Sequence, residues 1–147
     1  MIYRLSDSEV IDMYGYRTID SKTGKPTNGF NKCPLANIDT EQIDNALTYV
    51  SFLKPKKVCD VNSYTLKHKA ENYLEVTKYK DERYGSGYGV TNGALIVAML
   101  QSGFKYKVIG DMDSKYISIN LEFNVSLNSM KKVDKITRLA KMALDDL

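Results

Sequence analysis

The sequence predicts a helix-rich α+β protein: one compact domain over residues 1–147, with about five helices around a central apolar helix (91–102) and a small antiparallel sheet (104–109, 116–125). Three observations carry that prediction. The run ALIVAML, Ala94 to Leu100, is apolar on nearly every face of a helix, so it needs neighbours on most sides. Ile117, Ile119, Leu121, Phe123 and Val125 alternate strictly with polar residues, which is the period of a strand. Elsewhere apolar residues recur every three or four positions, the spacing of half-buried helices.

In chain order, Ser6 and Glu9 of LSDSEVIDMYGYR fit a capping box ahead of Val10, Ile11 and Met13, predicting a first helix that stops at Gly15. Residues 18–37 are rich in Gly, Pro, Asn, Ser and Thr and show no periodicity; a loop of that length tends to be functional or mobile. A second helix opens after Asp39 or Thr40, carries Ile43, Ala46, Leu47, Val50 and Leu53, and ends at Pro55. KVCDV, residues 57–61, reads as a short strand or extended link. The third helix, capped by Asn62 or Ser63, has the apolar stripe Leu66, Ala70, Tyr73 and Leu74. The central helix starts near Thr91 and stops at Gly103. FKYKVIG and KYISINLEFNV then form a hairpin. A last amphipathic helix, Ser129 to Leu144, places Val133, Ile136, Leu139, Ala140 and Ala143 on one side.

Composition narrows the class. A hydrophobic content of 43% with 27% charged residues is that of a soluble globular protein, and the longest apolar run is too short to cross a bilayer. The N-terminus lacks the basic start and apolar stretch of a secretory signal, so the Asn-Val-Ser triplet at Asn124 reads as a chance glycosylation match. Cys33 and Cys59 lack metal-ligand spacing and a disulfide framework, and a zinc site would have one histidine to draw on. The expectation is a host-cell cytoplasmic protein with reduced thiols and neither cofactor nor metal. Net charge is +3, with the excess in residues 54–83 and 126–147, far below the charge of a dedicated DNA binder.

Three groups of residues could carry function. Gly85, Gly87 and Gly89 precede the central helix, but they meet neither the P-loop nor the dinucleotide spacing, and no lysine follows until Lys105. Their expected role is to steer the chain into a buried helix, with Gly93 and Ala94 allowing close approach to a neighbour. Tyr64, Lys67, His68 and Glu71 share one face of the third helix, and His68 with Glu71 has the make-up of a general base and its orienting carboxylate. A solvated helix face accounts for the same pattern. Tyr79, Arg83, Tyr84 and Tyr88 lie in the basic, glycine-rich segment TKYKDERYGSGYG, where exposed tyrosine beside cations suits a protein surface or single-stranded nucleic acid. Asp111 and Asp113 fit a hairpin turn, without the glutamate that would complete a calcium loop.

NSYTLKHKAENY, then YGVTNGALIVAMLQSGFKYK and YISINLEF, resembles a pattern in small proteins of phages and mobile elements, over about residues 62–123. The positions that carry the resemblance are Ser63, Tyr64, Leu66, Lys67, His68, Glu71, Tyr88, Asn92, Gly93, Gly103 and Phe104; the Lys78–Arg83 insert and Val90 depart from it. The resemblance implies a context rather than a mechanism, and it suggests that the polar positions, Asn92 among them, share a site where the third and fourth helices meet. The expected function is non-catalytic binding of a host or defence protein complex, in its sharpest form an anti-CRISPR-type inhibitor. The alternatives are a nucleic-acid-binding module using Lys54 to Lys57, Lys67, Lys69, Lys78, Lys80 and Arg83, and a small enzyme or nucleotide binder around His68 and Glu71. Oligomeric state is left open, with self-pairing through the last helix as one arrangement.

Overall fold

The structure is a computed structural model and describes residues 1–78, 89–110 and 116–146. It is α+β, but its plan corrects the expected ring of about five helices. Four α-helices are present among the described residues, together with two three-stranded antiparallel sheets.

The segment expected as the first helix forms strands β1 (Tyr3–Ser6), β2 (Glu9–Asp12) and β3 (Gly15–Thr18), paired in the order β1-β2-β3. The physical reason lies in Asp12. Its carboxylate Oδ1 accepts the backbone N–H groups of Tyr14 (2.9 Å) and Gly15 (3.2 Å), which closes a tight turn where a helix would continue. Val10, Ile11 and Asp12 are buried in succession, as a strand covered on both faces requires. Ser6 and Glu9 do meet, Oγ to Oε1 at 2.9 Å, but across the β1–β2 turn rather than as a capping box.

Residues 19–37 contain no α-helix or paired strand beyond a bridge between Ile19 and Pro26 and a 3-10 turn at Phe30–Lys32. Helix α1 (Thr40–Val50) is capped by Asp39, whose side chain accepts from the Glu41 N–H. Helix α2 (Ser63–Thr77) is capped by Asn62, and α3 (Asn92–Gln101) by Thr91, whose hydroxyl accepts from the Ala94 N–H at 3.2 Å. Strands β4 (Val61–Asn62), β5 (Tyr106–Gly110) and β6 (Ile117–Phe123) form the second sheet in the order β4-β6-β5. Helix α4 (Leu127–Asp145), capped by Ser126, closes the chain.

Eight consecutive residues of α3, Asn92 to Met99, are buried. The helix packs chiefly against α1 and α2 and also against strands β2, β3 and β6, so sheets occupy places that the sequence assigned to helices. Helix α4 packs on α2, with Met130 and Val133 buried and Lys69 paired to Asp134 at 2.8 Å. Ile136 and Leu139, expected on the same inward side, stay exposed.

Two close approaches hold the sheets and α3 together. A Cβ on Gly93 would stand 1.7 Å from the Asp12 carbonyl oxygen, and one on Gly15 would stand 2.2 Å from that of Ile119. Between them, two asparagine amides join sheets that share no ladder. The Asn28 Nδ2 donates to Tyr16 O (2.9 Å) and Ile117 O (3.2 Å), and the Asn92 Nδ2 to Tyr14 O (2.9 Å), Ile119 O (3.2 Å) and Asn120 Oδ1 (2.9 Å).

Candidate functional site

The start of α3 is where a phosphate cradle would lie, and its amides are already engaged. The Gly93 N–H donates to Met13 O (3.1 Å), the Ala94 N–H to the Thr91 hydroxyl, and the Leu95 N–H to Thr91 O (3.0 Å). The β2–β3 turn thus covers the positive end of the helix dipole. Gly85 and Gly87 lie outside the described residues, as do Tyr79, Arg83, Tyr84, Tyr88, Asp111 and Asp113.

Tyr64, Lys67, His68 and Glu71 come together on the first turns of α2. The Lys67 Nζ takes Glu71 Oε1 at 2.7 Å, while the His68 Nδ1 stands 3.6 Å from the same oxygen. Glu71 is therefore engaged by the lysine, and the imidazole is beyond hydrogen-bond distance of its supposed orienter. The Tyr64 ring, half exposed, packs edge-on against His68 with centroids 4.4 Å apart, and the Lys67 ammonium lies 5.9 Å from its centre. The arrangement is a rigid amphipathic surface. Asn92 does not join it; its amide is spent bridging the two sheets, and its buried Oδ1 has no partner among the described residues.

Sequence reasoning missed the buried Asp12–Arg17 pair, because Asp12 fell on the expected first helix and Arg17 beyond its end at Gly15. Both side chains are 0% exposed, with Arg17 Nη1 to Asp12 Oδ2 at 2.8 Å. Two charges so deep cost least when their remaining lone pairs and protons are matched, and here one proton, on Arg17 Nε, has no partner among the described residues. Asp12 Oδ2 also accepts the Ala36 N–H (3.2 Å), and Arg17 Nη2 donates to Asn28 O (3.0 Å) and to Cys33 O. One guanidinium thereby clamps both ends of the 28–33 loop. Between these ends Asn31 (φ 53°) and Lys32 (φ 47°) sit in the left-handed region, uncommon for residues other than glycine.

The clamped loop carries Phe30, 85% exposed. With Gly29, Asn31, Tyr116, Ile117 and Ile119 it lines an open cleft of about 400 Å³, and Tyr116 is itself 71% exposed. A phenylalanine bared at the tip of a braced turn leaves apolar area in water that folding had the means to bury. The signal available in the sequence was the length of the 18–37 loop with a lone aromatic at its centre.

Buried tyrosines account for part of the tyrosine richness. Burial, then its hydrogen bond to Glu9, raises the Tyr16 hydroxyl above its ordinary pKa. Burial, then the charge of Asp134, does the same to Tyr49, whose hydroxyl has no hydrogen-bond partner among the described residues. Tyr106 is raised by burial and by Glu9. Cys33 and Cys59 are both unpaired thiols, half-buried, and no cluster of three or more metal-ligating side chains occurs among the described residues. Asn124 is buried, with its Nδ2 donating to Lys56 O at 3.0 Å, so its amide is committed inside the fold. No helix among the described residues is long and apolar enough to cross a membrane.

No protein family, curated protein or solved structure matches this chain.

Proposed function

We propose that the protein acts by binding another protein rather than by catalysis, and that the Phe30 face is the principal contact. The observation that carries this reading is an 85% exposed phenylalanine on a loop whose two ends are clamped by one buried arginine. An aromatic side chain held in place before binding loses little entropy on contact and makes a good anchor. The apolar cleft beside it, lined by Tyr116, Ile117 and Ile119, favours an apolar protein knob over a phosphate backbone. Of the six cations proposed for nucleic acid that lie among the described residues, four are engaged. Lys56 pairs with Asp60 (2.6 Å), Lys67 with Glu71 and Lys69 with Asp134, and Lys78 donates to Asn45 Oδ1 (2.6 Å).

In its sharpest form the protein is an accessory protein of a phage or mobile element that occupies and inhibits a host or defence complex in the host cytoplasm. The resemblance of residues 62–123 to small proteins of such elements supports that context. Tyr64, Lys67, His68 and Glu71, and the segment with Tyr79, Arg83, Tyr84 and Tyr88, stand in this reading as further contacts.

The test is a quantitative pull-down from host lysate with the wild type and with Phe30→Ala. The wild type is expected to retain one stoichiometric partner, and the variant to retain at least tenfold less while melting within about 1 °C of the wild type, since so exposed a side chain supports little of the fold. Absence of a stoichiometric partner, or equal recovery by both proteins, overturns the reading.

A further inference from the structure

Helix α4 leaves half of its apolar surface uncovered. Met130 and Val133 are buried, yet Ile136, Leu139 and Met142 are 47%, 53% and 57% exposed, and Ala143 is exposed beside them. These four lie on the last turns of the helix, away from the buried face.

The charges at the two ends of this strip identify its occupant. Lys132, Leu139 and Asp146 are spaced by seven, so they fall on one line down the helix, two turns apart at each step. The line reads basic, apolar, acidic. Lys132 and Asp146, the latter the C-cap of α4, are exposed and make no ion pair among the described residues. A second helix of the same sequence laid antiparallel across Leu139 has the complementary order. Leu139 then meets its own copy, Ile136 meets Met142, Lys135 lies over Ala143, and each Lys132 faces an Asp146. A parallel pairing sets Lys132 against Lys132 and Asp146 against Asp146, and like charges at that separation repel.

We propose that this strip of α4 is a two-fold interface at which two copies of the chain pair antiparallel, with Leu139 on the axis. The contact is isologous, so it closes at the dimer. Its length, about 21 Å of helix, is short for a stable interface, so the expected contact is weak and concentration-dependent. The proposal is independent of whether the Phe30 face binds a partner.

Sedimentation velocity on the full chain from about 1 to 500 µM tests it, a range bracketing weak-interface affinities. The expected result is a monomer of 16.7 kDa in exchange with a species of twice that mass. Leu139→Asp, at an exposed site, is expected to remain helical by circular dichroism and to be monomeric throughout. Lys132→Glu and Asp146→Lys are each expected to weaken self-association about tenfold, since each reverses a contact made twice. Mixing those two variants is expected to restore pairing, because the mixed dimer recovers opposite charges at both positions. A wild type that stays monomeric over the whole range overturns the proposal. So does a Leu139→Asp variant that dimerises like the wild type, or a mixture that associates no better than its components.

Discussion

Replacing Gly93 by alanine sets a methyl carbon 1.7 Å from the Asp12 carbonyl oxygen, where real Cβ contacts essentially never fall below 3.0 Å. The obstacle is backbone, so no side chain can swing aside. The β2–β3 turn and the start of α3 must part by at least the difference, about 1.3 Å. That movement strains or breaks the Gly93 N–H bond to Met13 O (3.1 Å) and the Asn92 bond to Tyr14 O (2.9 Å). Overpacking of this kind costs about 1–3 kcal/mol, and two weakened hydrogen bonds add about 1 kcal/mol each. A loss of about 3–5 kcal/mol follows, or a fall in melting temperature of roughly 10–15 °C for a chain of this size. Gly24→Ala is the comparison. Gly24 has nothing within 4 Å and a φ of +71°, so its cost is confined to the left-handed backbone, about 1 kcal/mol. Urea denaturation followed by circular dichroism measures both variants. If Gly93→Ala is no more destabilised than Gly24→Ala, the tight seating of α3 on the turn is refuted.

Two further outcomes follow from buried polar groups. Asp12→Ala leaves the Arg17 guanidinium buried beside no counter-charge, and it is expected to lose about 3–5 kcal/mol by urea denaturation; a loss below about 1 kcal/mol would mean that the pair contributes little. Tyr49→Phe removes a hydroxyl buried without a partner and is expected to gain about 1 kcal/mol at neutral pH. The same tyrosine governs behaviour in base. Its folded-state pKa lies above the ordinary 10.0, so the folded form keeps the proton that the unfolded chain gives up. Its contribution is complete below pH 10.0 and is lost as the pH rises beyond it. Tyr49→Phe is therefore expected to lose stability less steeply above that pH than the wild type, with Tyr16 and Tyr106 supplying the remaining slope in the same direction. Parallel alkaline profiles for the two proteins would refute this account.

Local signals were legible where one segment decides its own conformation. The caps fall within the expected pairs of candidates, on Asp39 rather than Thr40, Asn62 rather than Ser63 and Thr91 rather than Asn92, since a side chain accepting an N–H two or three residues on is a short-range event. The alternation in β6 is equally local. Strands β1 to β3 were not legible because each has four residues, too few to show a period, while Ser6, Glu9 and the apolar run imitate a helix start. The functions of Asn28 and Asn92 were hidden for another reason. Their partners lie far along the chain, Asn28 to Ile117 across 89 residues and Asn92 to Tyr14 across 78. The resemblance placed Asn92 with Tyr64 and His68, whereas the fold gives it to the seam between the sheets. Phe30 stood in a loop marked for its length, and nothing in its neighbours announced that it would be held outward.

The asparagine seam also bears on how the chain is made. The N-terminal meander is fully fastened only once Ile117, Ile119 and Asn120 have been synthesised, because two of the amides that hold it also reach those residues. Until then the meander has α3 to rest on but lacks the β6 side of the seam. The meander is thus made well before the residues that complete its fastening. During that interval it is the stretch most open to chaperones, to proteolysis, and to mispairing with the meander of a neighbouring nascent chain.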